Sequence, residues 1–226
     1  AIGWKAMTAN TTGDVSVAVG ANALLTNTTG TKQTAVGGNA LLANTTGTHN
    51  IAIGYNALDS NTEGNHNTAV GYQALATNTT AHRTTALGYE ALKASAVSGD
   101  TNASNTAVGF QAGLATTTGV ADVFIGSQSG DANTTGSYNT GVGLGALGGN
   151  TTADNNTAVG YLALTANTTG ASNVAVGHEA GKDLTTGSNN VFVGKESGHT
   201  TTTGGTNTAL GHQTFGTGAA SATTGS

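Results

Sequence analysis

The apolar positions of this chain recur on a single period. A small residue, an apolar residue and a Gly form a triplet, as in Ala69-Val70-Gly71. Its Gly falls at Gly3, Gly20, Gly37, Gly54, Gly71, Gly88, Gly109, Gly126, Gly143, Gly160, Gly177, Gly194 and Gly211. Eleven of the twelve spacings are 17 residues and one, Gly88 to Gly109, is 21. Self-similarity at a short fixed period signals stacked repeats. The unit is clearest in GYNALDSNTEGNHNTAV, from Gly54 to Val70. Its Asn-Thr-Ala-Val piece is partly β-branched, Ala-Leu is a second apolar point, and polar turns such as Asn27-Thr28-Thr29-Gly30 lie between. Gly and Asn recur too often for a three-turn helix. The pattern predicts an all-β fold, a β-solenoid or β-roll of about 13 coils, each 17-residue repeat one coil of strand, corner, strand, corner.

Such a unit must stack. Ordering 17 residues costs on the order of 25 kcal/mol at about 1.5 kcal/mol each, whereas one buried Val and one buried Leu return roughly 1.5–3 kcal/mol apiece. Stacked coils share a hydrogen-bond ladder and bury continuous apolar columns. Residues 1–226 read as one array, with a four-residue insertion loop within 93–105. Loops thrown out of solenoids often carry recognition, and tolerated insertions are equally common there. The sequence starts and stops inside a unit, which predicts a segment of a longer fibre or a subunit capped by its neighbours.

A constant period lets columns be read directly. Gln33, Asn50, Asn67, Asn105, Asp122, Asn139, Asn156, Asn173, Asn190 and Asn207 share one column, which predicts an Asn ladder bonding along the stack. The Leu column (Leu24, Leu41, Leu58, Leu75, Leu92, Leu147, Leu164) is interrupted by Gly113, Gly130, Gly181 and Gly198. Near these gaps the Ala of the triplet becomes Phe124 and Phe192, so each ring is expected to fill the volume that two Leu side chains vacate. Asn10, Asn27, Asn44, Asn78, Asn133, Asn150 and Asn167 each begin Asn-Thr-Thr, at once a turn and an N-glycosylation acceptor pattern.

Lys32, His49, His66 and Arg83 occupy one column on four consecutive coils. Stacked cations repel, so this is an exposed face with splayed side chains or an anion- or glycan-binding strip. No carboxylate in that column completes a metal site around the two His. Tyr55, Tyr72, Tyr89, Phe110 and Tyr161 follow the triplet Gly and form a surface stripe or a lateral contact between chains.

Composition narrows the functional classes. With 36 Gly, no Pro, no Cys and 8% charged residues, the chain departs from an ordinary globular enzyme domain. Disulfides, thiolate metal sites and Cys nucleophiles are excluded. Six Lys+Arg against 11 Asp+Glu leave no footprint for nucleic acid or an anionic membrane surface, and no apolar run reaches the ~20 residues of a membrane helix. No nucleophile motif, phosphate loop or paired carboxylates are present, and GVGLG (Gly141 to Gly145) lacks the βαβ context of a dinucleotide site. The residues predict no enzyme and no cofactor.

NTAVGYQA, from Asn67 to Ala74, resembles the head repeats of trimeric autotransporter adhesins, and the NTAVGYxAL…NTTG pattern is similar to repeats of bacteriophage and viral tail-fibre-like proteins and large bacterial surface proteins. The resemblance runs through essentially the whole chain. It implies a left-handed β-roll, homotrimers of parallel chains, and a binding surface outside the cell, on a cell surface or virion appendage. The expected function is a non-enzymatic extracellular fibre or adhesin shaft engaging a cell-surface or glycan receptor multivalently. Two alternatives stand beside it: a glycan- or ice-binding solenoid using Thr ladders such as Thr28, Thr45, Thr62 and Thr79, and a filament growing end to end.

Overall fold

The computed structural model describes residues 1–97 and 102–215. They form an all-β parallel solenoid with a repeat of about 17 residues and no helix. Twelve three-residue strands make one sheet in chain order: β1 Val17–Val19, β2 Thr34–Val36, β3 Ile51–Ile53, β4 Thr68–Val70, β5 Thr85–Leu87, β6 Thr106–Val108, β7 Val123–Ile125, β8 Thr140–Val142, β9 Thr157–Val159, β10 Val174–Val176, β11 Val191–Val193 and β12 Thr208–Leu210. Each strand pairs in register with the next, so Ala18 faces Ala35 and Ala35 faces Ala52. An isolated bridge from Ile2 to Val19 continues the ladder before β1. No helix among the described residues is long and apolar enough to cross a membrane.

The middle residue of every strand points inward, and it is small almost throughout because a 17-residue coil encloses little space. Those Ala residues, the Leu column and the two Phe rings make one continuous core. The triplet Gly closes each strand. Gly54 has φ 134°, and a Cβ there would press on the carbonyl of Gly71 on the next coil. Conformation and contact therefore both demand Gly at this point.

The second predicted strand is not formed. The Ala-Leu piece is a run of overlapping turns, with Ala23 N–H donating to Gly20 O (3.4 Å), Leu25 N–H to Asn22 O (3.2 Å) and Asn27 N–H to Leu24 O (3.3 Å). The intervening N–H groups cross to the next coil, Leu24 to Ala40 O (3.0 Å) and Thr26 to Leu42 O (3.2 Å). This alternation needs left-handed backbone at Asn22 (φ 57°) and Leu24 (φ 52°), unfavourable by roughly 1–2 kcal/mol for an L-residue such as Leu. Burial of the Leu side chain and the inter-coil bonds offset that cost.

The insertion leaves the ladder undisturbed. β5 and β6 pair in the same register as every other pair, Thr85 facing Thr106. Around the insertion, Val97 and Ala103 bury against Ala81 and Val120 in a small separate cluster. Residues 98–101 of the predicted loop lie outside the described residues.

Candidate functional site

Two columns of buried amides run through the interior, one on each side of the Asn-Thr-Thr-Gly corner. In the first, Asn50, Asn67, Asn105, Asn139, Asn156, Asn173, Asn190 and Asn207 are buried. Except at Asn207, their Oδ1 atoms accept the backbone N–H of the same position one coil on, as in Asn67 N–H to Asn50 Oδ1 (2.9 Å) and Asn156 N–H to Asn139 Oδ1 (3.0 Å). Their Nδ2 atoms reach a corner carbonyl fourteen residues ahead, Asn50 to Gly64 O (2.7 Å) and Asn105 to Gly119 O (2.8 Å), whereas Asn207 Nδ2 donates to Asn190 Oδ1 (2.9 Å). Gln33 makes the equivalent contact to Gly47 O.

Asp122 is the exception in this column. Its Oδ1 accepts Asn139 N–H at 2.8 Å as an Asn would, but its Oδ2, which accepts Asn133 Nδ2 at 3.3 Å, stands where the others carry a donor. Burial pushes the carboxyl up to about 7. Protonation supplies the missing donor, so the fold favours the acid form here.

The second amide column contains the candidate glycosylation sites, and the structure opposes that reading. Asn27, Asn44, Asn78, Asn133, Asn150 and Asn167 are buried, and Asn10 is half-buried at the first coil. Asn27 Nδ2 donates to Gly30 O and to Asn10 Oδ1 (both 3.0 Å); Asn44 repeats this to Asn27, and Asn150 to Asn133. A sugar on Nδ2 would remove these donors and force a ring into the core. Asn61 occupies the same column with identical bonds, although Glu63 denies it an acceptor pattern. That retained Asn was the signal for a ladder. The column is interrupted at Ser95, Thr116 and Leu184. Beside these interruptions lie four of the five buried polar side-chain atoms without partners among the described residues, Asn78 Oδ1, Ser95 Oγ, Thr116 Oγ1 and Asn167 Oδ1; the fifth, Asn207 Oδ1, ends the first column.

Phe124 and Phe192 are fully buried. The Phe124 ring lies against Gly113 and Gly130, and the Phe192 ring against Gly181 and Gly198, closely enough that a Cβ at Gly130 or Gly198 would overlap it. A third member of each cluster escaped the sequence reading. Ser129 replaces Ala beside Phe124 and donates to Gly141 O (2.9 Å); Ser197 does the same beside Phe192, to Ala209 O (3.1 Å). The twice-occurring Phe-x-Gly-x-x-Ser-Gly, in FIGSQSG and FVGKESG, carried the signal.

Outside, the aromatic column is a stack. Tyr55–Tyr72, Tyr72–Tyr89 and Tyr89–Phe110 have centroids 5.9, 5.2 and 5.4 Å apart and planes within 13°. Tyr161 stacks on His178 further along (5.0 Å). The corner Thr hydroxyls are spent on backbone, Thr28 Oγ1 donating to Thr45 O (3.0 Å) and Thr45 Oγ1 to Thr62 O (3.0 Å).

Two polar clusters remain. His178, Glu179 and Glu196 bring one nitrogen and two carboxylates within 4.8 Å of one another, a trio that sequence reasoning missed because it spans two coils. Its carboxylates are already countered by Lys182 (3.3 Å) and Lys195 (3.1 Å), and Gln213 Nε2 donates to Glu196 (2.7 Å). Those donors hold Glu196 down to about 2, Gln213 contributing most. The second cluster is the Lys32, His49, His66, Arg83 column, exposed on all four coils. It ends at a cleft of about 340 Å³ lined by Asn65, His66, His82, Arg83 and Asn102.

Comparison of the chain with protein-family models, with curated proteins and with solved structures finds no match in any of the three.

Proposed function

We propose that this chain is a non-enzymatic shaft of an extracellular fibre or adhesin, carried on a cell surface or as a virion appendage. Its coils, about thirteen, wind left-handed, and its shafts pack side by side with copies of themselves as a homotrimer. The likeness of its Asn-Thr-Ala-Val-Gly repeats to adhesin heads and tail-fibre-like proteins motivates the setting. One observation carries the reading: the outward face of the sheet is largely apolar, with Thr at the first position of seven strands, and it is uncovered among the described residues. Val17, Ile51, Ile53, Leu87, Ile125 and Leu210 are all exposed there, and the Tyr55 to Phe110 stack begins two residues beyond the strands. Eleven steps of about 4.8 Å by three outward positions, two on each strand and one two residues beyond it, give a strip of roughly 800 Å², the share each partner contributes to a standard-size interface. A partner matching such a strip along its length needs the same coil spacing, which a second copy has.

An end-to-end filament would leave this face bare, and the ice reading loses support because the corner Thr hydroxyls are engaged by carbonyls. The test is native mass spectrometry with electron microscopy of the purified chain. The expected result is a lateral homo-oligomer that Ile51→Lys with Ile53→Lys converts to monomer, with circular dichroism unchanged. A monomeric wild type, or an assembly indifferent to those two charges, would overturn the proposal.

A further inference from the structure

The chain holds six Lys and Arg residues, and four of them are occupied. Lys5 lies over the Trp4 ring at 4.4 Å. Lys93, Lys182 and Lys195 pair with Glu90, Glu179 and Glu196 at 2.7, 3.3 and 3.1 Å. The side chains of Lys32 and Arg83 have no ion-pair or hydrogen-bond partner among the described residues. These two stand at the ends of one column, and His49 and His66 fill the coils between with parallel rings 4.9 Å apart at 11°.

Stability does not explain the arrangement. Lys32 and Arg83 gain no partner among the described residues of the rod, and elsewhere in the column uncharged residues such as Asn155 and Asn189 take the same left-handed backbone, both at φ 62°. A neutral donor stands at the Arg83 end. Asn65 spends its Oδ1 on Thr48 N–H (2.6 Å) and keeps its NH2. His82 lines the same cleft, its Nδ1 accepting Asn65 N–H (2.8 Å).

We propose that this column binds a linear acidic polysaccharide lying along the rod, its carboxylates or sulfates over Lys32, His49, His66 and Arg83 and its end in the Asn65, His82 and Asn102 cleft. One positive position per coil, at about 4.8 Å, suits a polymer with one charge per sugar ring or two. Nucleic acid fits less well, because one strand carries a charge every ~3.4 Å and its binders commonly neutralise about 6–10 phosphates. The strip is complete within one chain, so the inference stands apart from side-by-side assembly.

His49 makes the strip acid-responsive. Lost hydration, then repulsion from Lys32 and His66, holds His49 below the usual imidazole range. The groups around the pair are Lys32 and Thr48 on the His49 side and Arg83 and His82 on the His66 side. Lys32 and Arg83 supply two permanent charges, and protonation of His49 on acidification adds a third. At roughly 0.7 of salt exponent per charge on a single-stranded polyanion, the dependence of log K on log salt steepens from about −1.4 to about −2.1.

Calorimetry on the whole chain tests this with polygalacturonate, heparin, neutral dextran and single-stranded oligothymidylate, at about pH 8 and pH 5.5. Both acidic polysaccharides, or one of them, should bind while dextran does not; which one responds identifies carboxylate or sulfate as the recognised group. Lys32→Asn with Arg83→Asn should weaken binding about tenfold or more at pH 8. His49→Asn should abolish the gain on acidification and leave the pH 8 affinity in place. Circular dichroism verifies folding of both variants. No binding of either acidic polysaccharide at low salt, affinity unchanged in the Lys32/Arg83 variant, or tighter binding of the oligothymidylate would each overturn the proposal.

Discussion

The buried column through Asn133, Asn150 and Asn167 and the exposed column through Lys32, His49, His66 and Arg83 obey the same construction, one residue per coil at a 17-residue step. Inside, each copy bonds its neighbour, Asn150 Nδ2 to Asn133 Oδ1 at 2.9 Å. Outside, no copy bonds its neighbour: Lys32 and Arg83 stand three coils apart, and the His49 and His66 rings between them only stack. An amide carries donor and acceptor together, so repetition is self-satisfying; a cation carries donors alone, so repetition leaves every copy seeking a third party. In a rod of identical coils, the side chains that serve the fold are those able to bond to themselves, and the others point to a partner.

The strongest test of the inner half is Phe192→Ala. With Gly181 and Gly198 on either side, nothing can collapse into the void, and the loss should be about 3–5 kcal/mol in chemical denaturation. Restoring Leu at both Gly positions in that background should recover part of it, since the Leu column holds the same left-handed backbone at Leu164 (φ 50°).

Asp122→Asn should act in the opposite direction. A carboxyl raised from 3.8 to about 7 by burial keeps its proton longer in the folded than in the unfolded chain. Wild-type stability therefore falls as pH rises from about 4 to about 7 and is level above that. The variant should be more stable by on the order of 3 kcal/mol above pH 7, with the advantage fading below pH 4. Denaturation midpoints of both proteins across that range give the answer.

Asn150→Ala should cost about 1–3 kcal/mol, because Asn133 Oδ1 loses its donor in a buried place. Amide hydrogen exchange should quicken around coils 133–170 before it does elsewhere. Lys32→Asn marks the lower end. As an exposed change without a partner, it should move the melting midpoint by an amount equivalent to less than about 0.5 kcal/mol. A large destabilisation there would mean that the outer column serves the fold after all.

The period made the solenoid legible, because Gly at the triplet is required on every coil and no other residue fits. The amide column beginning at Gln33 and the pairing of Phe with missing Leu were visible for the same reason: each is a regularity or its interruption. Three features stayed hidden. Leu24 and its copies take left-handed backbone, which Leu composition never suggests, so a turn run read as a strand. The Asn27 column carried a glycosylation pattern that masked its amide ladder. The His178, Glu179 and Glu196 trio forms across coils where neither half stands out alone.

The unpartnered oxygens of Asn78 and Asn167 give the coil order a grammar. Every Asn in that column offers its oxygen forward to the coil that follows, while its NH2 always finds a carbonyl in its own turn, as Asn133 does with Gly136 O at 2.9 Å. A coil bearing Asn can therefore be inserted after any other, but only another such coil can follow it without stranding an acceptor. Duplication of coils, the simplest way to lengthen such a rod, obeys this rule automatically. Random shuffling breaks it, so the array can grow by copying far more easily than by rearrangement.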